Sequence, residues 1–165
     1  WIFWWHHWLC NCHLLSVKMH DQEDINLKFT ITPTNPQAPL NLTVYVDGQP
    51  VWQAQSIQEP HTVEHVLVGT EGEHSLVFEL WGKTAQHTAI DQAGNIVSDS
   101  LIDIHDLTID DISLDFIIQN IATYEHDTNG TADQEQHRFY GHLGCNGRAT
   151  IVFSAPFYLW MLENL

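Results

Sequence analysis

Basic side chains are scarce. Of 165 residues only 5 are Lys or Arg, against 21 Asp or Glu, for a net charge of −16. Such a surface repels phosphate backbones and anionic lipid, which argues against nucleic acid and membrane surfaces as partners. Cysteine is scarce too, at 3 residues, too few for a disulfide framework. Cys10, Cys12 and His13, with His6 and His7, lack the longer spacing and the second half of a zinc motif. No run of about 20 apolar residues occurs, so no segment reads as a spanning helix. There is no glycine-rich phosphate loop and no G-x-S-x-G. The 12 histidines form no H-x-x-x-H or H-E-x-x-H pattern on a helix. Nothing points positively to an enzyme, and a non-catalytic protein is expected.

What is present is a globular composition, 44% hydrophobic and 11% aromatic, in a chain long enough for one domain. The charge is uneven. Residues 1–18, WIFWWHHWLCNCHLLSVK, contain no acid and one Lys. Residues 19–165 hold the other 4 basic and all 21 acidic side chains, a net of −17. A break this sharp marks 1–18 as an extension the fold does not use, and 19–165 as a single domain. A chain begun at Met19 is expected to melt at the same temperature as the full chain. A large drop in calorimetric Tm would instead place the tryptophans in the core.

From residue 25 the pattern has period two. Residues 25–31 alternate apolar and polar, as a half-buried strand does. Leu42, Val44 and Val46 share a face, Asp47-Gly48 signals a hairpin turn, and Val51-Trp52 begins the return. Residues 61–68 form another strand. A further one puts Leu76, Phe78 and Leu80 on one face and Trp81 on the other. After a loop at 84–99, Ile102 and Ile104 share a face, and the phase slips near Asp106, which predicts a bulge. Ile112, Leu114, Phe116 and Ile118 then alternate as a strand. Pro156 opens a short C-terminal helix. The expected fold is all-β, an antiparallel, jelly-roll-like β-sandwich with a short C-terminal helix.

Two loops concentrate oxygen donors. In 125–137, Asp127, Asn129, Asp133 and Glu135 surround Gly130 in the manner of a Ca²⁺ loop, although a solvated turn uses the same residues. In 84–99, Asp91, Asn95 and Asp99 are spaced around Ala93-Gly94, and DQAGN serves equally well as a turn between strands. The row Asp103, His105, Asp110, Asp111 and Asp115 reads as a solvated strand face. Trp81, Trp52, Tyr124 and Tyr140 are candidates for stacking on sugar rings, and each is also a candidate for core or rim packing.

The segments LTVYVDGQPVW, GEHSLVFELWGK and DSLIDIHDLTIDDISL, in that order over 40–116, resemble calcium-dependent xylan-binding carbohydrate-binding modules. The resemblance implies a β-sandwich in which a loop-held Ca²⁺ meets sugar hydroxyls. It would carry the ion on Asp91, Asn95 and Asp99, with a polysaccharide as partner. The family's Asn-Asp and Arg-Asn pairs are replaced here by Asp99-Ser100-Leu101. The C-terminal stretch from His126 is similar to the ends of proteins of marine tailed phages. That likeness implies an extracellular or virion location and contacts with other virion proteins. The apolar segment 156–165 would then serve association with them or with itself. A glycan hydrolase would instead need two carboxylates about 5–9.5 Å apart in a cleft.

Overall fold

The computed structural model of the chain describes residues 24–68, 71–128 and 133–164. Residues 1–18, expected to be an extension, and Asn129 lie outside the described residues. The alternation in the sequence becomes an alternation of burial. In β1 (Ile25–Pro33), Leu27, Phe29 and Ile31 face inward while Asn26 and Lys28 face water. β2 (Leu40–Val46) turns into β3 (Gln49–Ile57) at Asp47-Gly48, with φ of 49° and 74°. Two left-handed residues suit the twist of a tight hairpin, and aspartate and glycine tolerate them best. The Asp47 carboxylate then accepts the Ser75 N–H at 2.8 Å and pairs with His74 Nδ1 at 2.8 Å. The turn is thereby fastened to β5 (Gly72–Trp81), whose inner face carries Leu76, Phe78 and Leu80.

The remaining strands are β4 (His61–Leu67), β6 (Thr88–Ile90), β7 (Ile96–Asp99), β8 (Ile102–Ile109), β9 (Ile112–Ser113), β10 (Ala122–His126), β11 (Glu135–Arg138), β12 (His142–Leu143) and β13 (Gly147–Ala155). One sheet runs β12-β8-β1-β4, with β9 paired to β8. The other runs β11-β10-β13-β5-β2-β3, and β6-β7 forms a separate hairpin. Every pairing is antiparallel. The two main sheets face each other through their apolar sides, so the protein is an antiparallel β-sandwich. Phe29 of one sheet meets Phe78 of the other edge-on, with centroids 5.1 Å apart. Each such large side chain contributes about 1.5–3 kcal/mol on full burial.

The expected bulge is present. Lys28 pairs with Thr108 and Thr30 with His105, so Asp106 and Leu107 together oppose Phe29. Asp106 takes φ 53° there. The expected strand over 112–118 is mostly absent. Asp110 and Asp111, both left-handed, reverse the chain into the two-residue β9. Leu114 N–H then donates to the Leu107 carbonyl, and Leu107 N–H donates to the Asp115 carboxylate. The chain closes on the bulge instead of extending. Phe116 is left 62% exposed, and Ile118 enters the one-turn helix α1 (Ile118–Ile121). The C-terminal helix α2 (Phe157–Asn164) buries Phe157 and Met161, and stacks Phe157 on Trp160 at 5.5 Å. Tyr158, Leu159 and Leu162 of the same helix remain exposed. The segment considered for association is thus part core and part surface.

Candidate functional site

The outer face of the six-stranded sheet carries an ordered row of polar groups. By direct register, Gln136, Glu125, Arg148, Glu79, Thr43 and Gln53 follow one another across β11, β10, β13, β5, β2 and β3. Six strands at the usual spacing make this row about 24 Å long. Period-two alternation sets the face, because Tyr124, Ala149, Phe78, Leu80, Leu42 and Val44, the neighbours of these residues along β10, β13, β5 and β2, are buried in the core. Tyr45 and Trp81 flank the Thr43–Glu79 pair, one on each side of the row, since each lies two residues along its own strand.

The row is held in place by its own bonds. Glu79 Oε2 accepts the Tyr45 hydroxyl at 2.6 Å, and its Oε1 accepts Arg148 Nε at 2.8 Å. The bond to Glu79 raises the pKa of Tyr45 above its ordinary value, so the phenol is a fixed donor at neutral pH. The Arg148 guanidinium lies 5.9 Å from the centre of the Tyr45 ring. Trp81 Nε1–H donates to Thr43 Oγ1 at 3.2 Å, which orients the indole, and Gln136 Nε2 donates to Glu125 at 3.1 Å. An open cleft of about 350 Å³ runs between Glu79, Glu125, Gln134, Gly147 and Arg148. Gly147 is required at its floor. A Cβ there would meet the Glu125 carbonyl oxygen at 2.2 Å and His126 Cα at 2.5 Å, so only glycine lets β10 and β13 approach.

The structure does not bring Asp91, Asn95 and Asp99 to one point. Thr88 pairs with Asp99 at the base of the β6-β7 hairpin, and Asp91 lies at its tip. Three residues of strand, about 10 Å, separate them. Asp91 closes the tip, accepting the Ala93 and Asn95 N–H groups at 2.9 and 2.8 Å and the Asn95 side-chain amide at 2.9 Å. The Asn95 amide holds the Asp91 carboxyl below its ordinary range. Asp99 turns to Lys83. The Lys83 ammonium, fully buried, sits 2.7 and 2.8 Å from the two Asp99 oxygens, 2.9 Å from the Ser100 carbonyl and 2.5 Å from the Gly144 carbonyl. A tethered cation thus occupies the oxygen cage at the hairpin base.

In the other acidic loop, Asp127 accepts the Asn146 amide at 3.1 Å, and Asp133 and Glu135 are exposed at the start of β11. Among the described residues, one group of three or more His, Cys, Asp or Glu side chains has its ligand atoms within 4.8 Å of one another: His126, Glu135 and His137. Sequence reasoning missed it because the histidines are 11 apart. Glu-x-His in a period-two strand is a signal for one shared face, but the β10-β11 register was needed to add His126.

Of the four candidate aromatics, Trp81 lies on the outer face beside the polar row. Trp52 shares the inner face with Val44 and packs against His61 at 5.6 Å. Tyr124 is buried. Its hydroxyl donates to the Cys145 carbonyl and accepts the Cys145 N–H at 3.0 Å, and burial pushes the phenol upward. Tyr140 is exposed on the turn after β11. Tyr45, Glu79, Glu125 and Arg148 were not singled out by sequence. Their alternation with core residues was visible, but alternation alone does not distinguish a binding face from a solvated one.

No protein-family profile matches the chain, and no curated protein matches it. Among solved structures, the chain is similar to vCBM60 in complex with galactobiose, at 12% identity and a TM-score of 0.42, over 76% of this chain and 96% of that one. It is also similar to the selenomethionine form of vCBM60, reported with a circular permutation linking two families of calcium-dependent carbohydrate-binding modules. That match has 12% identity and a TM-score of 0.42, over 77% of this chain and 89% of the other.

Proposed function

We propose that the chain is a non-catalytic carbohydrate-binding β-sandwich that holds a glycan along the outer face of its six-stranded sheet. The observation that carries this is the joint placement of Tyr45 and Trp81 on either side of the fixed row Glu125, Arg148, Glu79 and Thr43. Aromatic rings offer apolar faces to pyranose rings, and preset charged groups beside them take the hydroxyls. Glu79 and Glu125 stand two strand spacings apart across the cleft, about 9.6 Å at the backbone. Arg148 lies in the row between them, on the line where a glycosidase would place its scissile bond and water. That occupancy supports binding without hydrolysis.

Calorimetric titration of the full chain with xylan oligosaccharides and with galactobiose tests the proposal. Trp81→Ala is expected to weaken binding about tenfold, or 1.4 kcal/mol. Binding of neither sugar, or equal affinity in the variant, would sink it, and chromatographic release of shorter sugars would replace it with hydrolysis. The titration is run with Ca²⁺ and with chelator, because Asp127, Asp133 and Glu135 lie within two residues of the cleft residues Glu125 and Gln134. Binding that survives chelation belongs to the sheet face alone. Binding that is lost to chelation and restored by Ca²⁺, but not by Zn²⁺, assigns a calcium ion to the loop.

A further inference from the structure

We infer that His126, Glu135 and His137 form a binding site for a borderline transition-metal ion of the Zn²⁺ class, at the rim of the sandwich. The site follows from register. His126 and Glu135 are directly opposed in the β10-β11 ladder, and His137 lies two residues beyond Glu135 and so shares its face. The imidazole rings are 5.3 Å apart, centre to centre. All three ligand atoms lie within 4.8 Å of one another. A tetrahedral ion with ligands at about 2.0–2.1 Å needs them about 3.4 Å apart, a change that small side-chain rotations supply.

The hydrogen bonds around the cluster already prepare it. His126 Nδ1 bonds to the Asp127 main-chain carbonyl. A carbonyl only accepts, so Nδ1 carries the proton and Nε2 in the neutral ring is left with its lone pair. This is how protein backbones fix a metal-binding histidine in the required tautomer. The His126 ring is also backed by Tyr124, at 4.6 Å, whose own hydroxyl is pinned to Cys145. His137 Nε2 lies 2.7 Å from Glu135 Oε2. The ion would take the place of the proton between these two atoms, while Nδ1 of His137 keeps the other proton.

The donor set selects the metal. Two imidazoles and one carboxylate suit Zn²⁺ and its neighbours in the first transition row, whereas Ca²⁺ and Mg²⁺ prefer all-oxygen cages. Three protein ligands leave a fourth position for water or an incoming group. The location gives the ion something to do. Among the described residues β11 is an edge strand with four exposed residues, and β10 is its one neighbour. An ion bridging β10 to β11 would fasten that edge.

The test uses the full chain with Zn²⁺ alone, and with Co²⁺ as a spectroscopic substitute. One equivalent of Zn²⁺ is expected to bind and to raise the melting temperature by about 5 °C at saturation. Co²⁺ should show the intense visible bands of four-coordinate geometry. His137→Ala and Glu135→Gln, both on the exposed edge, are expected to weaken Zn²⁺ binding at least tenfold. His105→Ala, an exposed histidine elsewhere, should leave it unchanged. Because the N-terminal stretch also holds thiols, Cys10→Ser with Cys12→Ser is measured in parallel and should retain the equivalent that His137→Ala removes. Zinc affinity unchanged in both His137→Ala and Glu135→Gln would overturn the site, as would Ca²⁺ binding equally well at these residues. His126→Ala is read last, since its ring packs on Tyr124, and the edge variants decide the matter if it fails to fold.

Discussion

Replacing Lys83 by methionine is expected to lower the stability by about 3–5 kcal/mol, or roughly 6–20 °C in Tm for a domain of this size. The side chain is fully buried, and its ammonium is surrounded by both Asp99 oxygens and by the Ser100 and Gly144 carbonyls. Removing it strands a carboxylate and two carbonyls that have lost their donor, and the cost comes mainly from those orphans. The same residue fixes its backbone to Asn146. Its N–H donates to the Asn146 side-chain oxygen at 2.7 Å, and its carbonyl accepts the Asn146 amide at 2.9 Å. Lys83 therefore ties the end of β5, the β6-β7 hairpin and the loop before β13 into one unit. Asp99→Asn alone should cost less, because the amide oxygen still accepts Thr88 and Lys83. The double variant should be more stable than the sum of the single losses predicts, since the uncompensated charge is gone. Strict additivity in a thermal or urea-denaturation cycle would refute the view that the ammonium and carboxylate act as a pair.

The second large effect is expected at Phe78. Phe78→Ala should cost about 3–5 kcal/mol, measured by urea denaturation with the slope unchanged. Its ring is fully buried, meets Phe29 of the facing sheet at 5.1 Å and stacks near Phe139 at 6.4 Å. Truncation removes the contact that joins the two sheets and opens a cavity that strands on both sides are too stiff to fill. Phe116→Ala is the control. That ring is 62% exposed, and its loss should stay within about 0.5 kcal/mol. A loss at Phe78 no greater than at Phe116 would mean that the sheets are not held together here.

The strands and their faces were legible because one side of each is buried. Leu42, Val44 and Val46, or Leu76, Phe78 and Leu80, admit one period only, and the Asp47-Gly48 turn fixes their register. The slip at Asp106 was legible for the same reason, since an extra residue reverses the alternation. The failure at 112–118 has an equally local cause. Alternation continued through Phe116, but Asp110-Asp111 and the Asp115 side chain turned the chain back on the bulge, and such bonds leave no periodic trace. The candidate site was least legible. Trp81 could be placed on the outward face from its strand alone. The polar row beside it joins strands as distant in sequence as β2, β5, β10 and β13, so it exists only once the sheet order is known. The same holds for Lys83, whose partners come from two separate loops.

The left-handed aspartates described above change what the acidity of this protein means. Asp47, Asp106, Asp110 and Asp111 all have positive φ, and Asp47, Asp91, Asp110 and Asp115 accept main-chain N–H groups with their carboxylates. At Asp106, Asp110 and Asp111 the turn needs a short side chain that tolerates a left-handed backbone and does not need a charge, whereas Asp47 and Asp91 use both carboxylate oxygens, on His74 and Ser75 and on Ala93 and Asn95. Asparagine tolerates the same left-handed backbone at those three positions. The charges at these three positions, out of 21 acidic groups, can therefore be lost over evolution, or be removed by design, while the turns stay closed. At these turns charge and shape are independent variables, as they are not at the buried Lys83–Asp99 pair.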